Sequence, residues 1–180
     1  LGWYRNYVYN QVGEYNVLDL VWYDDSLKGS QPQKLATKFT KNQLVTMRSD
    51  WANEAGIFIG LKGGYNNLPH GDLDIGTFVL DAMGERWALD LGRENYNVPG
   101  YWDNQAGGTR WDYYRKRPEA HNTLVINPTD KANQYQFGVG KIDKFVSKEA
   151  GAFAILDLTS AYRAEVDKLT RGIKLFDQRR

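Results

Sequence analysis

The apolar pattern changes period once along the chain. Val17, Leu18, Val21 and Trp22 fall at helical spacing behind the aromatic residues Trp3, Tyr4, Tyr7 and Tyr9, which predicts one or two short helices within residues 1–35. Asp24-Asp25-Ser26 and Lys28-Gly29-Ser30-Gln31-Pro32 read as a connector. From about Lys38 onward the chain alternates short β-type runs with turn residues. Leu44–Arg48, Gly56–Leu61, Thr77–Ala82, Arg86–Leu91, Asn122–Ile126, Lys141–Ser147, Ala152–Thr159 and Leu169–Phe176 are the predicted strands. Met83-Gly84-Glu85 fits a hairpin loop, and Gly63-Gly64-Tyr65-Asn66-Asn67 is turn chemistry. Between Gly92 and Pro118 lies a long stretch rich in Gly, Asn and aromatics, of a length usually kept for function or mobility. Many short strands joined by turns predict a mainly β fold, an antiparallel β-sandwich with a short N-terminal helical segment. The expected division is 1–35, a helical end or linker, and 36–180, the sandwich. Leu1 is not an initiator Met, and Arg179-Arg180 would begin a return strand that stops. The expectation is therefore a fragment of a larger protein, truncated at its C-terminus.

Composition narrows the function classes. With 42% hydrophobic and 25% charged residues, the chain has the make-up of a folded domain. Its 23 Lys+Arg against 22 Asp+Glu leave a net charge of +1, which argues against a dedicated nucleic-acid binder. No apolar run is long enough to span a bilayer. The absence of Cys removes disulfides and Cys-based zinc sites. Gly60-Leu61-Lys62-Gly63-Gly64 lacks the ending of a phosphate loop, and no Ser stands in a nucleophile elbow.

Only two histidines are present, His70 and His121, and both stand beside predicted strands. If Pro69-His70-Gly71-Asp72-Leu73-Asp74 is extended, His70, Asp72 and Asp74 share a face unless Gly71 bends the chain. Trp87, Leu89 and Leu91 alternate as a core face would, leaving Asp90 on the opposite side. His121 likewise lies opposite Leu124 and Ile126. Should these strands be neighbours, a histidine and two or more carboxylates converge, a donor set that suits zinc. The alternative is that the acids cap turns and the histidines make ordinary hydrogen bonds. Arg110-Trp111-Asp112-Tyr113-Tyr114-Arg115-Lys116-Arg117 interleaves four cations with aromatics in the long loop. Arg110, Trp111, Tyr114 and Arg115 are candidates for binding a ligand with carboxylate or sulfate groups, against the alternative of a solvated edge. Tyr101 and Trp102 either face a sugar or pin the loop.

Three segments taken in order resemble one family: His70–Phe78, the hairpin through Asp90-Leu91-Gly92, and Ala120-His121-Asn122-Thr123-Leu124-Val125-Ile126. They are similar to the heparinase II/III polysaccharide lyases, from about Leu44 to the C-terminus. The resemblance implies a super-sandwich following a helical toroid that this chain lacks, and a periplasmic or extracellular home. It implies β-elimination on a uronic-acid-containing acidic polysaccharide, with His70 in the catalytic cleft. The family's second His, a zinc ligand, falls on Asp72, so that the implied metal set is Asp72, Asp90 and His121. Asp74 would orient loop backbone. The toroid would supply a general acid or base Tyr. The alternative function is a non-catalytic module that binds carbohydrate or packs against another domain.

Overall fold

A computed structural model describes Val17, Val21, Ser26 and residues 30–177. The chain divides into two compact units, Leu1–Lys34 and Leu35–Arg180. In the first, Val17 and Val21 are helical. Trp3, Tyr4, Tyr7, Tyr9, Leu18 and Trp22, which shape the helical expectation, lie outside the described residues, as do Gln178, Arg179 and Arg180.

The second unit is an antiparallel β-sandwich. Among the described residues its strands are β1 (Ala36–Phe39), β2 (Leu44–Arg48), β3 (Phe58–Lys62), β4 (Gly64–Tyr65), β5 (Phe78–Ala82), β6 (Glu85–Ala88), β7 (Val139–Lys148), β8 (Gly151–Asp157) and β9 (Thr170–Leu175). One sheet runs β1-β2-β3-β5-β6 and the other β4-β7-β8-β9. Strand alternation builds the core, because every second side chain faces inward. Val45 pairs with Leu61 and Met47 with Ile59 across β2 and β3. Their inward faces meet Ile142, Ala152, Ala154, Leu156 and Leu175 from the other sheet, with Ile75, Leu158 and Tyr162 closing the interior. The β5–β6 hairpin turns at Met83-Gly84, both at positive φ, so that β6 starts at Glu85, one residue earlier than expected.

Two expectations fail. Asn122–Ile126 joins no sheet: Asn122 lies in a turn, Thr123 in a bend, and the rest is irregular. Its backbone groups are met by side chains instead: Thr77 Oγ1 accepts from Asn122 N (3.1 Å), Asn133 Oδ1 accepts from Ile126 N (2.7 Å), and Tyr162 donates to Leu124 O (2.5 Å). Trp87 is not core. It sits on the edge strand β6 at 62% exposure, and Leu89 and Leu91 beyond it are exposed too. The alternation marks one face of an edge strand that, among the described residues, nothing covers.

From Leu89 to Gly138 the chain runs without a strand, through three 3-10 turns at Thr109–Asp112, Tyr114–Lys116 and Pro118–Ala120. Irregular backbone leaves carbonyls without ladder partners, and the cations of this stretch meet them. Arg110 donates to Tyr101 O (2.9 Å) and Gly71 O (2.8 Å), Arg115 to Leu91 O (2.8 Å) and Arg93 O (3.1 Å). Arg117 donates to the carbonyls of Thr129, Asp130 and Lys131 and grips Glu119. The basic run is a set of staples for the loop.

Candidate functional site

His70 marks the mouth of the site. The chain turns there at φ +62°, and Gly71 N donates back to Leu68 O (2.8 Å), so the extended alternation that would align His70 with Asp72 and Asp74 is broken. Its exposed imidazole lies 5.2 Å from the Tyr96 ring and 5.5 Å, edge-on, from Trp102. Trp102 is exposed, whereas Tyr101 beneath both rings is fully buried, 4.9 Å from each. Of the two loop aromatics, Tyr101 pins the loop and Trp102 is available to a ligand. Beside Tyr96 opens a cleft of about 460 Å³ lined by Arg93, Glu94, Asn95, Tyr96, Asn97 and Arg115. The Arg93 guanidinium sits 5.4 Å from the Tyr96 ring centre.

Arg115, which lines this cleft, also meets a cluster in which Asp74 and His121 are buried and Asp90 is exposed. Asp74, Asp90 and His121 bring one ligand-type atom each to within 4.8 Å of the others. Asp90 Oδ2 lies 2.9 Å from His121 Nδ1, and its Oδ1 accepts from Gly92 N at 2.7 Å. His121 Nε2 lies 3.2 Å from Arg115 O. Both partners of the ring are acceptors, and the tautomer decides which ring nitrogen donates. Asp74 receives Lys62 Nζ on both oxygens, at 2.5 and 2.6 Å. Burial pushes the Asp74 carboxyl above its ordinary value, opposed by the Lys62 ammonium and, more weakly, by His121.

Asp72 does not join the other two members of the metal set read from the sequence. Its Oδ1 lies 2.5 Å from Nζ of Lys116, whose side chain is 1% exposed, and Asp74 stands in the cluster instead. The bend at His70 and the Lys116 ammonium together draw Asp72 aside. An imidazole and two carboxylates are donors of the right kind for zinc. Their atoms are nevertheless engaged: a cation would have to displace Lys62 from both oxygens of Asp74 and part Asp90 Oδ2 from His121 Nδ1. As arranged, these residues do not fit a metal ion.

The sugar-binding candidates separate by burial. Arg110 and Trp111 are 2% and 4% exposed. They are out of reach of a polymer because they hold the carbonyls of Tyr101, Gly71 and Gln105. Tyr114 and Arg115 are exposed, and Arg115 reaches the cleft. Sequence reasoning misses Arg93, Tyr96, Lys62 and Lys116. An aromatic beside a cation in a Gly/Asn-rich loop signals the first two weakly. Nothing local signals the lysines, whose partners lie 12 and 44 residues away.

The sequence profile described as Heparinase II/III-like, C-terminal, matches residues 27–171. A solved heparinase III gene product superposes with a TM-score of 0.64 at 18% identity, over 86% of this chain and 22% of its own. Heparan sulfate lyase HepC from Pedobacter heparinus superposes at 0.63 and 16% identity, over 98% of this chain and 24% of its own. A further heparinase III gives 0.60 and 21% identity, over 83% of this chain and 22% of its own. These likenesses show the fold, and the chain spans less than a quarter of the length of these three proteins. No curated protein matches it.

Proposed function

The chain belongs to the heparinase II/III-like, C-terminal family, and from that premise we propose that it is the β-sandwich part of a polysaccharide lyase acting on uronic-acid-containing polymers. On this reading residues 1–35 are the end of a preceding helical domain, and the protein works in the periplasm or outside the cell. The observation that carries the proposal is the exposed His70, held at positive φ against Tyr96 and Trp102 beside a cleft that Arg93 and Arg115 line.

The chemistry asks for three things. A base takes the proton from C5, next to the carboxylate. The C4–O bond breaks as the C4–C5 double bond forms, and the departing oxygen gains a proton. The charge that builds on the carboxylate in between needs stabilising. His70 is a donor or base at the mouth, Tyr96 and Trp102 offer faces to a sugar ring, and the two arginines attract an acidic chain. Arg110 acts as a positioning residue, since it ties Gly71, the neighbour of His70, to Tyr101 beneath the aromatic wall. The general acid or base opposite His70 belongs to the preceding domain on this reading.

The test is production of unsaturated uronate, followed by absorbance, with the full-length protein on a panel of acidic polymers. The proposal expects turnover on at least one of them. Binding without product on every polymer would favour a non-catalytic carbohydrate-binding module.

A further inference from the structure

We propose that lysine ammoniums, and not a metal ion, supply the positive charge that organises the carboxylates Asp72 and Asp74 that follow His70, so that this domain is metal-independent. Two chain segments must be held together there: 72–74, which follows His70, and 115–121, which ends at His121. Lys116 links them twice. Its buried Nζ lies 2.5 Å from Asp72 Oδ1, and its carbonyl accepts from Leu73 N at 3.0 Å. A buried ammonium persists only when paired, and this one also sits 5.0 Å from the centre of the Tyr101 ring. Lys62, reaching from β3, takes both oxygens of Asp74 in the same way.

These two lysines do what a divalent ion would do. They reach two neighbouring carboxylates, Asp72 and Asp74, from distant parts of the chain, neutralise them and fix where they point. They also oppose such an ion. The Lys62 ammonium would repel an ion bound to Asp74, and it already occupies both oxygens of that carboxylate. A fixed cation of this kind makes these carboxylates indifferent to chelators and to zinc supply. The inference stands apart from the lyase reading, because metal content and melting temperature can be measured whatever the protein cleaves.

The experiment starts with purified protein incubated in excess zinc and dialysed into metal-free buffer, followed by elemental analysis and by melting with zinc or with chelator. The expected result is far less than one zinc per chain and a Tm that neither addition moves. Zinc retained at one per chain, or a Tm lowered by chelator, would overturn the proposal. Lys62→Met uncovers Asp74 beside Asp90 and His121, so zinc should raise the Tm of this variant and leave wild type unmoved; equal responses of the two would also overturn it. Lys116→Met leaves Asp72 unpaired and should lower Tm by about 6 °C or more. Adding Asp72→Asn should recover most of that loss. A Lys116→Met protein too unstable to purify, recovered by the second substitution, counts in favour; an unchanged Tm counts against.

Discussion

Asp74 is the most constrained acid of the site. Burial raises its carboxyl above the ordinary 3.8, while Lys62 pulls it back. The folded state therefore holds this proton to higher pH than the unfolded state does. Between 3.8 and the raised folded value the folded protein binds more protons, so this group's contribution to stability falls as pH rises across that window and is level above it. We expect NMR titration to place the Asp74 midpoint above 3.8, and Lys62→Met to raise it further. A midpoint that Lys62→Met leaves in place would disconnect the pair. Single residues are also where the sequence is least legible. The strand pattern singles out Asp90 and His121, which do lie 2.9 Å apart. The family pattern groups them with Asp72 and not Asp74, and period-2 alternation gives both acids the same face, so it cannot say which of them a distant lysine will claim. Arg110 and Arg115 are equivalent cations in the sequence. Only the course of the loop separates a buried staple from a cation at the cleft.

At the scale of elements, the segments that carry the site are secured by side chains more than by sheet pairing. Gln134 is the clearest case. Its buried amide donates to Ile75 O and Tyr162 Oη, each at 2.8 Å, and accepts from Ile75 N (3.1 Å) and Asn66 Nδ2 (3.0 Å). It thereby fixes the strand-free stretch that follows His70. Gln134→Leu strips partners from several buried groups at once, and such groups are expensive to leave unmade. Chemical denaturation should show a loss of about 2–3 kcal/mol; a loss near zero would mean that the network is replaceable. The same reliance on side chains explains why Asn122–Ile126 pairs with no strand. Its β-branched and apolar residues have strand propensity, but Thr77, Asn133 and Tyr162 take the backbone groups a neighbouring strand would need. Most other runs contain strands where expected, since alternation and turn residues agree there, as at Met83-Gly84, but β6 stops at Ala88 and Gly64-Tyr65, expected as a turn, forms β4.

For the whole molecule, the two-sheet sandwich is legible because alternating apolar positions recur with turn signals between them. A site shared with another domain is not legible in one domain's sequence. If the protein is a lyase of this family, the sandwich contributes one wall of a cleft, with His70, Tyr96 and Trp102 on it, and the reacting partner stands elsewhere. The isolated 180-residue chain should therefore bind acidic oligosaccharides weakly and show little or no turnover. Robust lyase activity of this piece alone would refute that division of labour. The most direct measurement is the turnover number of full-length His70→Ala on a polymer that the wild-type protein cleaves, with Tm recorded for both. If His70 acts at the reacting centre, turnover falls by about 100-fold or more with an unchanged Tm. Wild-type turnover by the variant would contradict that role.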